Sequence, residues 1–390
     1  MENIYIVEGA RTAFGSFGKS LRTKTATELG TITAKEALKR SGYAPKEIDN
    51  VVYGNVIHSH TNAAYLARHI ALTAEVPIET PALTVNRLCG SGMQAIVSAA
   101  QSIALGESEV ALAGGAENMS LSPHVSFTSR FGGVKYGSLQ FADMLTSTLT
   151  DELAGCGMGI TAENLAAQYE ITREEQDDFA LLSQERAKKA VESQRFAKEI
   201  IGVEVEGSVI DQDEHIKQTI TKEKLATFSP AFKKEGTVTS GNASGINDGA
   251  ASVIVVHENR LLATNKPLAK ITSWAVAGVD PKKMGIGPVP AIQQALKRAN
   301  LTVGDIDLFE VNEAFAAQYI AVEKELQLNR EKTNVNGGAI ALGHPVGASG
   351  TRIVLSLAYE LKARGLKYGV ASLCIGGGQG IALVIENMNS

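Results

Sequence analysis

The chain has 390 residues, 44% of them apolar and 20% charged, with a formal net charge of −5. That length exceeds one ordinary core and points to two or three globular domains. The negative balance excludes nucleic acid as a main partner, no apolar run reaches the length of a membrane span, and three cysteines without CxxC spacing argue for a reducing, cytoplasmic setting instead of a disulfide framework.

Ile4-Tyr5-Ile6-Val7 reads as a strand, with no signal peptide expected. Met388-Asn389-Ser390 is not a peroxisomal address. Thr25-x-x-Glu28 has the form of a capping box before an amphipathic helix. Val51–Val56 is an apolar strand. His58 and His60 are the only close histidine pair, no HExxH occurs, and no metal site is expected. A Gly-rich turn after Val85 leads into a helix through about Leu105. That helix is apolar or small almost all round (Met93, Ile96, Val97, Ala100, Ile103), which predicts burial. Val110–Gly115 is a further strand.

Residues 120–238 are richer in charge and polar turns. They include a helix opened by Thr172-x-x-Glu175, with Phe179, Leu182, Ala190 and Val191 on one face. The stretch is expected to lie as an insertion over the first unit. From Ala269 the pattern restarts. A strand at Ala269–Trp274 precedes a helix bearing Ile292, Ala295, Leu296 and Ala299, with Pro290 near its start. A strand at Leu308–Val311, a Gly-rich turn, a helix, and strands at Val370–Leu373 and Ile381–Ile385 follow.

The restart is a repeat. One offset of 258 residues superimposes Ala37–Arg40 on Ala295–Arg298, Ile48-Asp49 on Ile306-Asp307, and Ser91-Gly92 on Ser349-Gly350. Strands alternating with helices predict α/β layers and mainly parallel pairing. Residues 1–119 and 239–268 form one expected half, 120–238 an inserted loop domain, and 269–390 the second half.

Three Gly-rich turns are candidates for chemistry. Cys89, in Asn86-Arg87-Leu88-Cys89-Gly90-Ser91-Gly92, stands where a strand gives way to a helix. Free N–H groups and the positive helix end there favour a thiolate and predict a lowered thiol pKa. Most cysteines are structural, but core packing has no need of such an open turn. His344, in Gly343-His344-Pro345-Val346-Gly347-Ala348-Ser349-Gly350, lies by the repeat just before the turn matching that of Cys89. The two turns are expected to face one another, and His344 is a candidate partner for a nucleophile. Cys374 opens the turn Cys374-Ile375-Gly376-Gly377-Gly378-Gln379-Gly380 between two strands. With no helix after it, this is not a dinucleotide fingerprint, and no GxxxxGK(S/T) loop occurs. Asn312 follows the strand Leu308–Val311, where an asparagine can hold a water or carbonyl, though helix capping is its commoner duty.

Asn86–Gly92, Asn312–Phe315, Gly343–Gly350 and Cys374–Gly380 resemble the signature blocks of the thiolases, and Gly241–Ala250 resembles a further block. The resemblance spans essentially the whole chain, in order. It implies a five-layer α-β-α-β-α fold from two pseudo-symmetric halves with an inserted loop domain. It implies acetyl-CoA C-acetyltransferase activity: reversible Claisen condensation of two acetyl-CoA to acetoacetyl-CoA and CoA. Cys89 then takes up the acyl group, and His344 activates it. Asn312 holds a water, and Cys374 exchanges the proton on the α-carbon or the leaving thiol. The N–H groups of Cys89 and Gly376 form an oxyanion hole. Ser244 resembles a residue touching the pantetheine arm, and Lys217 a basic residue near the nucleotide end. Met158, Met284, Ala314 and Phe315 resemble acyl-pocket residues. No cofactor is implied, since CoA is substrate or product. A homotetramer, a dimer of dimers, is implied, and no nucleic-acid or membrane partner. Cys156 receives no role.

The match departs at Gly157, where acetyl-selective members often carry a histidine. A degradative 3-ketoacyl-CoA thiolase of broader chain length is therefore the alternative. A non-catalytic acyl-CoA binding protein is the alternative of another class.

Overall fold

The computed structural model describes residues 3–131, 133–263 and 266–388, so Asn389 and Ser390 of the C-terminal tripeptide lie outside the described residues. Nine strands form the path of one large sheet. In chain order they are β1 (Ile4–Thr12), β2 (Asn50–Gly54), β3 (Ala82–Val85), β4 (Val110–Asn118), β5 (Asn247–His257), β6 (Ala269–Gly278), β7 (Leu308–Val311), β8 (Tyr368–Ile375) and β9 (Gln379–Glu386). The main helices are α1 (Ala26–Ser41), α2 (Leu66–Thr73), α3 (Ser91–Ala104), α4 (Met158–Gln168), α5 (Arg173–Glu192), α6 (Pro288–Ala299), α7 (Ala316–Leu326) and α8 (Val346–Arg364).

The sheet has two halves of like order. The first runs β1-β5-β4-β2-β3, the second β6-β9-β8-β7. They join edge to edge where Tyr5 and Ile6 of β1 meet Lys270 and Ala269 of β6. Pairing departs from the mainly parallel expectation. Along this path β1·β5, β5·β4, β1·β6, β6·β9 and β9·β8 are antiparallel, and β4·β2, β2·β3 and β8·β7 are parallel. The reason is that a strand after each central helix returns by a hairpin, or by the long insertion, and so runs back against its neighbour. The repeat reaches individual hydrogen bonds. Asp49 accepts from the backbone N–H of Glu109 at 2.7 Å, and Asp307, at the same offset, accepts from Lys367 at 2.9 Å.

The layers are α-β-α-β-α. α1 and α2 cover the outer face of the first half through Leu29, Leu38, Leu66 and Ile70. α3 and α8 form the middle layer, with Met93, Ile96, Ile353 and Leu357 in one core. α6 and α7 cover the second half through Ile292, Leu296 and Ile320. α3 is buried on most sides, as its composition requires. The middle helices also touch backbone to backbone. A Cβ on Gly92 would stand 2.8 Å from Gly347 O, and one on Gly350 would stand 2.3 Å from Met93 N. Only glycine allows that approach.

The inserted stretch does not lie over the first unit as expected. Its helices α4 and α5 pack on α7 of the second half, where Phe179 stacks on Tyr319 at 4.2 Å between centroids. The capping box at Thr172 and Glu175 is present. The buried face of α5 carries Gln176, Asp177, Ser183 and Gln184 beside Phe179 and Ala190, so its pattern reads weakly in hydrophobicity alone. The insertion returns to the first half at its start, where Ser120 accepts from Gly18 N at 2.9 Å, and again over residues 199–214. There Glu199 and Asp213 each hold the buried Arg11 guanidinium at 2.7 Å. Breaking such a buried pair typically costs about 3–5 kcal/mol, because the remaining charge is stranded. Among the described residues no helix is long and apolar enough to cross a membrane.

Candidate active site

Three turns meet at the carboxyl ends of the parallel strands, where chains leave the sheet and a ligand can approach. The first follows β3. Asn86 Oδ1 accepts from Leu88 N at 2.9 Å, and Ser91 Oγ accepts from Arg87 N at 2.8 Å while donating to Leu88 O at 2.6 Å. These two side chains hold Leu88 at φ +46°, a left-handed conformation that leucine seldom adopts. The turn delivers Cys89 to the head of α3. Cys89 is partly buried and packs against Ile57, Met119 and Val346.

The second turn carries His344 between the short helix Ala339–Leu342 and α8. Gly343 sits at φ +99°, and its Cβ would lie 2.5 Å from the Asn247 side chain, so the turn requires glycine. His344 N donates to Asn247 Oδ1 at 2.9 Å. The buried ring has Nδ1 2.6 Å from Ser349 Oγ. That hydroxyl also lies 3.0 Å from Pro345 O, which can only accept. A Ser349 proton directed to Pro345 O leaves Nδ1 to carry the ring hydrogen and Nε2 with its lone pair. Asn312, which follows β7, brings Nδ2 to 3.5 Å from Nε2, a long contact that suits an acceptor there. Asn312 caps no helix. Its N–H donates to Ser372 O at 2.9 Å, and its Oδ1 is buried with no protein partner among the described residues.

The third turn is the β8–β9 hairpin, in which Gly377 and Gly378 adopt φ +78° and +81°. Cys374 is fully buried at its base. The backbone N–H groups of Gly376 and of Cys89 itself both stabilise the Cys89 sulfur. The Cys89 charge in turn pushes the Cys374 thiol up, after burial, which is the larger cause. The structure thus groups Cys89 with Gly376 and Cys374, pairs His344 with Asn312, and sets the His344 turn beside Cys89 through Val346 and Asn312 beside the Cys374 strand through Ser372.

The electrostatics correct one expectation. Burial pushes the Cys89 thiol up to about 11, and the N–H groups of Gly376, in the hairpin, and of Cys89 itself pull it back only in part. Burial, and then the Arg352 guanidinium, hold His344 down at about 3. At neutral pH the pair therefore rests as thiol and neutral imidazole.

Around this cluster, Met158 Sδ lies 3.3 Å from where a Cβ on Gly376 would stand. Met284 is buried in the 3-10 segment Pro281–Ile286. Ser244 N donates to Ala314 O at 2.9 Å, and Phe315 meets Phe232 edge-on at 5.9 Å. Lys217 sits over Phe228 at 5.6 Å, with Nζ 3.5 Å from Ser240 O. A cavity of about 510 Å³ opens beside the turns, lined by Leu88, Met158 and Gly376 and by Thr148 and Asp151 of the insertion. Two buried residues escaped the sequence reading. Ser349 entered it only as a repeat landmark, and Glu117 not at all, although a carboxylate closing the apolar run from Val110 was a signal.

The chain matches the family described as thiolase, N-terminal domain, over residues 4–259, and thiolase, C-terminal domain, over 265–387. It is 51% identical to the mitochondrial 3-ketoacyl-CoA thiolase of Rattus norvegicus, covering 99% of each chain. It is 47% identical to an acetyl-CoA acetyltransferase of Rhizobium meliloti (strain 1021), again over 99% of each. The crystal structure of human mitochondrial 3-ketoacyl-CoA thiolase in complex with CoA superimposes with a TM-score of 0.97 at 49% identity, covering 99% of this chain and 98% of that one. The cytoplasmic expectation is overturned here. The rat and human relatives are named mitochondrial, so the lack of a disulfide framework, which fits any reducing compartment, was no guide to location.

Proposed function

Because the chain belongs to the thiolase family and is an acyltransferase of that family, we propose that its three convergent turns carry out carbon–carbon bond formation and cleavage beside a coenzyme A thioester. Its substrates are CoA and acyl-CoA thioesters. In this reading Cys89 Sγ attacks the acyl-CoA carbonyl while its proton passes to His344 Nε2. The C–S bond to CoA breaks, and the CoA sulfur leaves with the proton of the Cys374 thiol, which becomes a thiolate. A second acetyl-CoA loses its α-proton to Cys374. The resulting enolate attacks the acyl-Cys89 thioester, forms the new C–C bond and releases the Cys89 sulfur, which recovers its proton. Thiolysis of a 3-ketoacyl-CoA is the reverse. The covalent intermediate divides one hard step into two.

The observation that carries this reading is the close approach of the Cys89 and Gly376 turns, where a Cβ on Gly376 would stand 3.2 Å from Leu88 and one on Gly90 2.6 Å from Ile375, so that both backbone N–H groups act on the Cys89 sulfur. Donors so placed stabilise the oxyanion that forms when that sulfur is acylated, and losing one typically costs about 100- to 1000-fold in rate. Asn312, through a water, and His344 serve the other oxygen. Ser244 and Lys217 bind the CoA arm, and Met158, Met284, Ala314 and Phe315 bound the acyl group.

We further propose that the chain accepts 3-ketoacyl groups longer than acetoacetyl. Gly157 leaves the space beside Met158 open, and the cavity of about 510 Å³ adjoins it. Acetoacetyl-CoA specificity is the narrower reading. Assembly as a homotetramer is supported by exposed apolar side chains on the insertion, with Phe127 at 78%, Phe131 at 87% and Tyr136 at 100% exposure.

Labelled acetyl-CoA tests the chemistry. Transfer of label to the protein is expected in the native chain and lost in Cys89→Ala. Full-stoichiometry labelling of that variant would refute the assignment.

A further inference from the structure

We propose that Glu117 is a positioning residue that clamps the two halves together at the Cys89–His344 pair. The inference rests on the roles given above to those two residues.

Glu117 stands near the end of β4 and is wholly buried. Both carboxylate oxygens are filled, and all four partners are donors. Oε1 accepts from Asn55 Nδ2 at 3.0 Å and from Ile57 N at 3.1 Å. Oε2 accepts from Val56 N and from Gly347 N, both at 3.0 Å. Three of these donors belong to the chain leaving β2, in the first half. The fourth belongs to the first turn of α8, in the second half, three residues past His344. One side chain therefore fastens a loop of one half to the helix start of the other.

The residues it fastens are those that touch the sulfur. Ile57, whose N–H Glu117 holds, and Val346, whose neighbour Gly347 it holds, form with Met119 the apolar cluster against Cys89. A carboxylate suits the helix N-terminus at Gly347. It does so at a cost, since the Glu117 charge opposes a thiolate on Cys89. A group that hinders the nucleophile electrostatically yet sits under both turns is explained by geometry. Burial raises the Glu117 pKa, while the four donors, with no acceptor among them, pull it down and favour the carboxylate.

Glutamine cannot replace it. Whichever end its NH₂ occupies, two N–H donors would face a donor. Glu117→Gln should loosen the register of Cys89 and His344, and a misplacement of about 1 Å can cost about 100-fold. The readout is the first-order rate constant for alkylation of Cys89 by iodoacetamide at pH 7, with the site of modification mapped by peptide mass. Unfolded molecules are alkylated too, as a separate phase at the rate measured for the chain in guanidinium, so the remaining phase reports the folded molecules. Asp49→Asn is the control. It removes a carboxylate from the same kind of duty at the opposite end of β4, where Asp49 accepts from Glu109 N and Val110 N. The expected result is a rate constant about 10- to 100-fold lower in Glu117→Gln and near native in Asp49→Asn. A Glu117→Gln constant within about twofold of native, with Cys89 still the residue modified, would overturn the clamp and leave the nucleophile assignment standing. Modification elsewhere than Cys89 in the native chain would sink the underlying reading instead.

Discussion

Ser349 Oγ stands 2.6 Å from His344 Nδ1 and 3.0 Å from Pro345 O. With its hydrogen on Pro345 O, the hydroxyl accepts from Nδ1 and leaves the His344 lone pair on Nε2. Ser349→Ala removes the acceptor for the Nδ1 hydrogen without adding bulk. The ring can then flip or change tautomer. A complete general base is worth about 100- to 10,000-fold, so partial loss should lower kcat roughly 10- to 100-fold. KM for acetyl-CoA should hold, because Ser349 is buried away from the substrate. Ser349→Thr retains the hydroxyl and should recover part of kcat. Steady-state kinetics of the two variants decide this. Equal losses in both would mean that Ser349 fills space and does not orient the ring.

The separation of the two pKa values predicts an unusual pH profile. His344 is lowered to about 3, so it is neutral above that pH. Cys89 is raised to about 11, so it holds its proton below that pH. Moving the thiol proton to the imidazole leaves the total proton count unchanged. The reactive thiolate–imidazolium form is therefore a constant small fraction between these limits. By the same values the free thiolate beside a neutral imidazole outnumbers that form at every pH above about 3, and it grows about tenfold per pH unit. Iodoacetamide alkylation of the native chain should therefore rise about tenfold per pH unit from about pH 5 to pH 9, with no plateau near the ordinary thiol value of about 8.5. A plateau within that range would mean that burial does not hold the proton on Cys89.

Much of this arrangement was legible because the duplication preserved spacing. The offset of 258 residues relates Gly92 to Gly350, and these two glycines are where the middle helices meet. The alternation of strand and helix fixed the layers of the thiolase fold. The pairing direction was not legible, because β5, the partner of β1 and β4, follows an insertion of more than a hundred residues. The acidity of Cys89 was misjudged for a different reason. A helix N-terminus is visible in sequence, whereas the packing of Ile57, Met119 and Val346 around the sulfur exists only after folding. Glu117 was hidden by its position, because a carboxylate at the end of an apolar strand looks like the strand's exit to solvent.

Chain-length preference turns on Gly157, just before α4. Its backbone, at φ −76° and ψ 162°, is extended and open to any residue. A Cβ there would meet Leu149 O at 3.5 Å, an ordinary contact, so a side chain can be added without strain. The imidazole of Gly157→His would leave the backbone beside Leu149 and Thr150, and Thr150 lines the cavity that Leu88, Met158 and Gly376 also bound. It should narrow the space available to an alkyl tail while sparing a two-carbon acyl group. One methylene in an apolar pocket is worth about 1–3 kcal/mol, or roughly 10- to 200-fold in discrimination. The variant should therefore lose at least about tenfold in kcat/KM for thiolysis of a 3-ketooctanoyl thioester while acetoacetyl-CoA changes by less than about threefold. Equal changes for both substrates would place the tail elsewhere and remove the argument that Gly157 widens the acyl pocket.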